Sequence, residues 1–166
     1  MTLVTIITGS VSDRPVVDPA IEVLRKFKVP FRLYVASAHR DPDRVAKIVR
    51  DAEADGTRVF IAAAGMAAHL AGMVAARTTR PVIGVPVGSG PLGGEDSLLS
   101  TVMMPAGIPV ATVAIDGGKN AAWLALEILA LLPDGASIAK GLQDERENTR
   151  NALAEAEEKW LREIQS

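Results

Sequence analysis

Leu3-Val4-Thr5-Ile6-Ile7-Thr8-Gly9-Ser10-Val11-Ser12-Asp13-Arg14-Pro15 sets the pattern by which the rest of the chain is read. Residues 3–8 are a short β-branched run, the composition of a buried strand. Gly9 ends the run where the backbone must turn. Pro15 falls where a first helical turn accepts it, after Ser12 and Asp13 as candidate caps. Val16, Val17, Ala20, Ile21, Leu24 and Phe27 follow at helical spacing, so residues 15–28 read as a helix.

The strand-then-helix unit recurs downstream. Residues 31–36 read as a second strand, and the segment after Pro42 as a helix with Val45, Ile48, Val49 and Ala52 on one face. Further strands are expected at 58–63, 81–85 and 109–115, and helices at 68–77, 94–103 and 119–132. Alternation of this kind with continuous apolar strands predicts the α/β class. The expected architecture is a three-layer αβα sandwich with a central parallel sheet, flavodoxin- or Rossmann-like, plus a C-terminal helical extension. Residues 1–133 form the expected α/β catalytic domain, and residues 134–166 the extension. Residues 144–166 hold seven acidic and four basic side chains, against a net charge of −2 for the chain. Ile138, Leu142, Leu153, Trp160, Leu161 and Ile164 mark a narrow apolar stripe on a long polar helix. Such a stripe fits packing against a neighbouring subunit better than packing back on its own domain.

Composition narrows the function. At 166 residues the chain is one domain's worth, with no Cys, two His and nearly balanced charge. The missing thiols exclude disulfide scaffolds, thiolate metal sites and a cysteine nucleophile. Two histidines offer little for a zinc site. The charge balance argues against nucleic-acid binding. The N-terminus lacks a basic leader, and no apolar run approaches the ~20 residues of a membrane span. A cytoplasmic, cofactor-poor globular protein remains, and its chemistry has to come from few residues.

In a parallel α/β sheet, ligands bind beyond the carboxyl ends of the strands. The expected strand exits carry the polar residues. Gly9 to Asp13 offers a tight turn, two hydroxyls and an anion-favouring helix start, with Asp13 suited to sugar hydroxyls; capping alone explains it equally well. Ser37-Ala38-His39-Arg40 supplies a planar guanidinium for phosphate or carboxylate and an imidazole suited to acid–base work, unless Arg40 merely pairs with Asp41, Asp43 or another surface acid. Ala64-Gly65-Met66-Ala67-Ala68-His69-Leu70 surrounds the second histidine with small residues and puts it near a helix start. Residues 84–94, rich in Gly and Pro, form a loop able to close over a ligand. The pattern supports a small-molecule site with an anion pocket and one or two acid–base histidines. It does not name the reaction.

The ordered set G-S-x-S-D, S-A-H-R, A-A-H-L-x-G-M, G-V-P-V, D-S-L-x-S and M-P-x-G-I-P-V resembles the N5-carboxyaminoimidazole ribonucleotide mutase family of purine biosynthesis, from the first strand to about Leu132. The resemblance implies transfer of a carboxyl group from the exocyclic nitrogen of the imidazole ribonucleotide to ring C4, with no cofactor. It implies His39 as general acid and base. Ser10, Ser12, Asp13 and Arg40 would bind the ribose 5-phosphate, with Ser37 beside them. His69, Leu70 and the backbone of Ala64 and Gly65 would line the base and carboxylate pocket. It further implies a homo-octamer whose tail helix reaches a neighbour. A sister group carboxylates aminoimidazole ribonucleotide directly with CO2. It typically shows Lys in place of Arg40 and lacks the histidine within Ala68-His69-Leu70. That carboxylase, or a non-catalytic nucleotide-binding protein, is the alternative. The chain departs from the usual mutase pattern at Met66 (usually Gly), Ala71 (usually Pro), Gly88, Gly90-Pro91 and Ala106.

Overall fold

The computed structural model describes residues 2–165. Five parallel strands form one sheet: β1 (Val4–Thr8), β2 (Phe31–Val35), β3 (Val59–Gly65), β4 (Val82–Val87) and β5 (Ala111–Thr112). Their order is β2-β1-β3-β4-β5, so the chain reverses its direction across the sheet between β1 and β3. Such a reversal opens a crevice at the carboxyl ends of the strands beside it.

Helices cover both faces. α1 (Arg14–Lys26) and α5 (Gly118–Ala130) pack on one face through Val17, Ala20, Leu24, Ala121, Ala125 and Leu126. α2 (Pro42–Ala54) and α3 (Leu70–Ala75) pack on the other through Val45, Val49, Leu70 and Val74. α4 (Glu95–Val102) lies on that second face, since a Cβ at Gly84 would meet Thr101, Val110 and Ala71. All five residues of β1 are buried, and β4 is buried throughout, as expected of strands covered on both sides. Burying each large aliphatic or aromatic side chain stabilises the fold by about 1.5–3 kcal/mol. α1 and α5 approach so closely that a Cβ on Gly118 would sit 1.8 Å from the Val16 carbonyl oxygen.

The helix starts follow the sequence. Asp41 caps α2, accepting the Arg44 N–H at 3.1 Å, with Pro42 in the first turn. Pro15 likewise occupies the first turn of α1. Three strands differ from expectation by more than one residue. β3 continues to Gly65 and β4 to Val87, each two residues past its expected end at 63 and 85. The Pro86 carbonyl, on the side facing β5, accepts the Asp116 N–H at 2.8 Å, and the β4–β5 ladder has already ended at Gly84 and Thr112. The missing Pro86 N–H therefore removes no ladder bond. β5 is correspondingly short, two residues rather than the run 109–115.

α6 (Ala136–Gln165) is one continuous helix whose apolar stripe divides in two. Its first part docks on the domain. Ile138 and Leu142 join the core of the α1/α5 face, and Lys26–Glu145 and Arg146–Glu127 pair at 2.6 Å. Gly141 makes room for Phe27, whose ring meets Trp123 edge-on at 5.4 Å. Leu153, Trp160, Leu161 and Ile164 in the second part are exposed. The expectation of a single stripe facing a neighbour therefore holds for no more than the second part; Ile138 and Leu142 pack on their own domain because Phe27 and Trp123 offer them an apolar seat.

Candidate active site

Gly9 to Asp13, the exit of β1, folds into a hydrogen-bonded cup. A 3-10 turn spans Val11–Asp13 and is capped by Ser10. The Ser10 hydroxyl accepts the Ser12 N–H at 3.2 Å and the Ser12 hydroxyl at 2.8 Å. Asp13 is buried. Its Oδ2 accepts the Thr8 hydroxyl and, at 3.0 Å, the Ser10 N–H. Among the described residues its Oδ1 accepts only a long 3.4 Å contact from Ser12 Oγ. Both the capping and the ligand readings of this segment thus have a physical basis: Asp13 fixes the turn with one oxygen and keeps capacity on the other.

The exit of β2 brings Ser37, His39 and Arg40 alongside. The Ser37 hydroxyl accepts the Arg40 N–H at 3.3 Å, and Arg40 Nη2 donates to the Gly9 carbonyl at 3.0 Å. Among the described residues no carboxylate pairs with Arg40. Asp41, a candidate partner by sequence, caps α2 instead. The guanidinium is tethered at one end and retains free N–H groups for an anion.

His69 is the N-cap residue of α3 and accepts the Met73 N–H through its backbone carbonyl, while its ring makes no capping hydrogen bond. It faces His39 across the crevice, with ring centroids 5.3 Å apart and planes inclined by 36°. Both histidines are exposed, and neither imidazole makes a protein hydrogen bond among the described residues.

These elements enclose a cleft of about 350 Å³. Ser10, Ser12, Asp13, Ser37, His39, Arg40, Ala64, Gly65, His69 and Leu70 all line it, so every residue singled out for the site meets in one place. Ser89 lines it as well, a residue that the sequence marks only through its loop, 84–94. Gly65 reveals why Ser89 fits there: a Cβ at that position would lie 2.0 Å from Ser89 Oγ. Met66 forms part of the wall with φ of +55°, a left-handed backbone that favours glycine. Larger clefts lie between α5 and α6 and beside Pro81 and Pro109, but neither contains a histidine. One end of the histidine cleft is cationic and rich in hydroxyls. The other carries two imidazoles among small side chains. Such an arrangement can hold a phosphorylated ligand and move a proton at its far end.

The AIR carboxylase family model matches residues 3–152. An N5-carboxyaminoimidazole ribonucleotide mutase of Methanocaldococcus jannaschii is 52% identical over 95% of this chain and 96% of its own. The mutase of Bacillus subtilis is 46% identical over 96% of this chain and 98% of its own. A phosphoribosylaminoimidazole carboxylase of Schizosaccharomyces pombe is 48% identical over 95% of this chain, which corresponds to 28% of that longer protein. Among solved structures, Treponema denticola PurE superposes with a TM-score of 0.86 at 29% identity, covering 96% of this chain and 98% of that one.

Proposed function

Since the chain belongs to the AIR carboxylase family, we propose that its histidine cleft carries out the reaction of an N5-carboxyaminoimidazole ribonucleotide mutase in purine biosynthesis. The observation that carries this reading is the convergence of His39 with an unpaired Arg40 and the Ser10–Ser12 hydroxyls in one cleft. A ribose 5-phosphate fits the Arg40 end, with Asp13 Oδ1 accepting from a sugar hydroxyl. The imidazole ring then extends past Ser37 toward Ala64, Gly65, His69 and Leu70.

The reaction proceeds in two stages. The bond between N5 and the carboxyl carbon breaks, its electron pair stays on nitrogen, and protonated His39 delivers a proton there. Aminoimidazole ribonucleotide and CO2 remain side by side. C4, electron-rich as an enamine carbon is, attacks CO2 and forms the new carbon–carbon bond. Neutral His39 then takes the C4 proton, restoring the aromatic ring and its own starting state. Acid–base help of this kind contributes roughly a hundred- to ten-thousandfold, and holding CO2 against the ring adds a proximity effect. The substrate supplies both the carboxyl group and the nucleophilic carbon, so the stages call on no cofactor.

We further read the protein as a cytoplasmic homo-octamer, with residues 134–166 as a helical extension beyond the α/β catalytic body. The second part of α6 lies on a neighbouring subunit in this reading, supported by its exposed Leu153, Trp160, Leu161 and Ile164. Light scattering of the full chain and of a chain ending at residue 150 tests this, the shorter one forming smaller particles. Among the described residues no helix is long and apolar enough to cross a membrane.

Purified protein given the N5-carboxylated ribonucleotide should form the C4-carboxylated product without ATP or added bicarbonate. Product from aminoimidazole ribonucleotide and high CO2 alone would instead establish the direct carboxylase. Ribonucleotide binding without either product would leave a nucleotide-binding protein.

A further inference from the structure

The exits of β3 and β4 meet along a seam at the mouth of the cleft. Ser89 occupies the space above Gly65, where a Cβ would stand 2.0 Å from its hydroxyl oxygen. One residue further along both loops, Met66 lies beside Gly90. A Cβ placed on Gly90 would be 3.6 Å from Met66 Cγ, an ordinary van der Waals separation. Both backbones are left-handed there, with φ of +55° at Met66 and +82° at Gly90. That conformation costs free energy in a residue carrying a side chain, and glycine would remove the cost. The chain nevertheless places a long, unbranched apolar side chain at Met66, 57% exposed and lining the cleft. Its position is the rim rather than the floor.

We propose that Met66 retains CO2: its side chain spans the β3–β4 seam and closes the gap through which the neutral gas would leave between the two stages. The inference rests on the mutase reading above. The CO2 intermediate carries no charge for Arg40 or the histidines to hold, so steric closure by apolar atoms is the physical means available. Once the N5–carboxyl bond has broken, recapture by C4 and escape past the rim compete. Escape leaves aminoimidazole ribonucleotide in place of product, with atoms and charge balanced by the proton already on N5. Truncating Met66 widens the exit and shifts that partition. It leaves the proton-transfer groups and the phosphate end in place.

The test compares the wild type with Met66→Gly, Met66→Ala and Met66→Gln on the N5-carboxylated ribonucleotide in ¹³C-bicarbonate buffer. Two ratios are read per turnover: aminoimidazole ribonucleotide released against product, and ¹³C incorporated into product. The glycine and alanine variants should raise both severalfold, and glutamine, which keeps the chain length, should stay near wild type. Glycine suits φ of +55°, so Met66→Gly should melt no lower than wild type. Unchanged ratios in folded Met66→Gly and Met66→Ala would overturn the proposal while leaving the mutase reading intact. A wild type that forms no C4-carboxylated product at all would overturn the mutase reading and this one with it.

Discussion

The two rims of the sheet are built to opposite rules. At the amino-end rim, polar groups are paired with each other. The Thr2 hydroxyl donates to Asp55 Oδ2 at 2.6 Å, Arg32 approaches the same oxygen at 3.5 Å, and the Thr5 and Thr57 hydroxyls share a buried hydrogen bond of 2.7 Å. At the carboxyl-end rim, Arg40 has a single carbonyl partner and the two imidazoles have none among the described residues. The amino-end rim pairs its polar side chains, whereas the carboxyl-end rim, beside its paired Thr8–Asp13 turn, leaves the Arg40 guanidinium and both imidazoles open. Polar atoms aligned without partners contribute less to stability than satisfied ones, a common trade at sites of activity.

Substitutions at each rim should therefore separate activity from stability, and the largest effect belongs to the open rim. His39→Asn should lower turnover by roughly a hundred- to ten-thousandfold, with ribonucleotide affinity and melting temperature close to wild type. Steady-state kinetics beside calorimetric binding would check it; retained turnover would remove His39 from its role. Arg40→Ala should weaken phosphorylated ligands by roughly ten- to a hundredfold, the equivalent of about 1.5–3 kcal/mol for charge-assisted hydrogen bonds. The unphosphorylated nucleoside should bind equally to both proteins. Unchanged affinity for the nucleotide would erase the contrast between the rims.

The closed rim should answer in stability alone. Thr57→Val strands the buried Thr5 hydroxyl and should cost about 1–3 kcal/mol in denaturant unfolding, while turnover stays unchanged. Adding Thr5→Val should recover most of that loss, because an apolar pair leaves nothing unsatisfied. The smallest effect concerns pH. The Thr2 hydrogen bond, assisted by the Arg32 charge, holds the Asp55 carboxyl below its ordinary range against an opposing effect of burial. A depressed carboxylate stabilises the fold fully above its unfolded value, about 4. The contribution disappears as pH falls through the lower folded value. Asp55→Asn should accordingly flatten the acid side of the stability profile below about pH 4 and leave pH 7 activity untouched.

What the sequence revealed follows the range of each signal. Periodicity is local, so the helices around Val45–Ile48–Val49 and Ala121–Ala125 were readable, as was the order of strands and helices. The strand ends at Gly65 and Val87 were not. Gly and Pro break strands on local grounds, but Pro86 is tolerated because its neighbour β5 has already left the ladder. The meeting of His39 and His69 in one cleft is readable because the fold sends successive strand exits to one rim, although thirty positions separate them. Ser89 escaped notice because its place depends on the absent side chain at Gly65, across a strand pair. The division of α6 depended likewise on Phe27 and Trp123, two distant rings that seat only its first half.

That half-seated helix makes secondary structure depend on how much protein is present. Thirty helical residues extend about 45 Å. Beyond the Arg146–Glu127 pair, the helix is held mainly by contacts within itself, such as Arg162 donating to the Glu158 carbonyl at 3.2 Å. Most helical stability in proteins comes from tertiary packing of an apolar face, and the exposed Leu153, Trp160, Leu161 and Ile164 supply little of it here. In the octamer reading proposed above, dilution should fray the helix from its C-terminal part, and concentration should wind it back. The far-ultraviolet dichroism of this protein would then serve as a titration of its own self-association, and amide exchange at Leu153 to Ile164 as its clock.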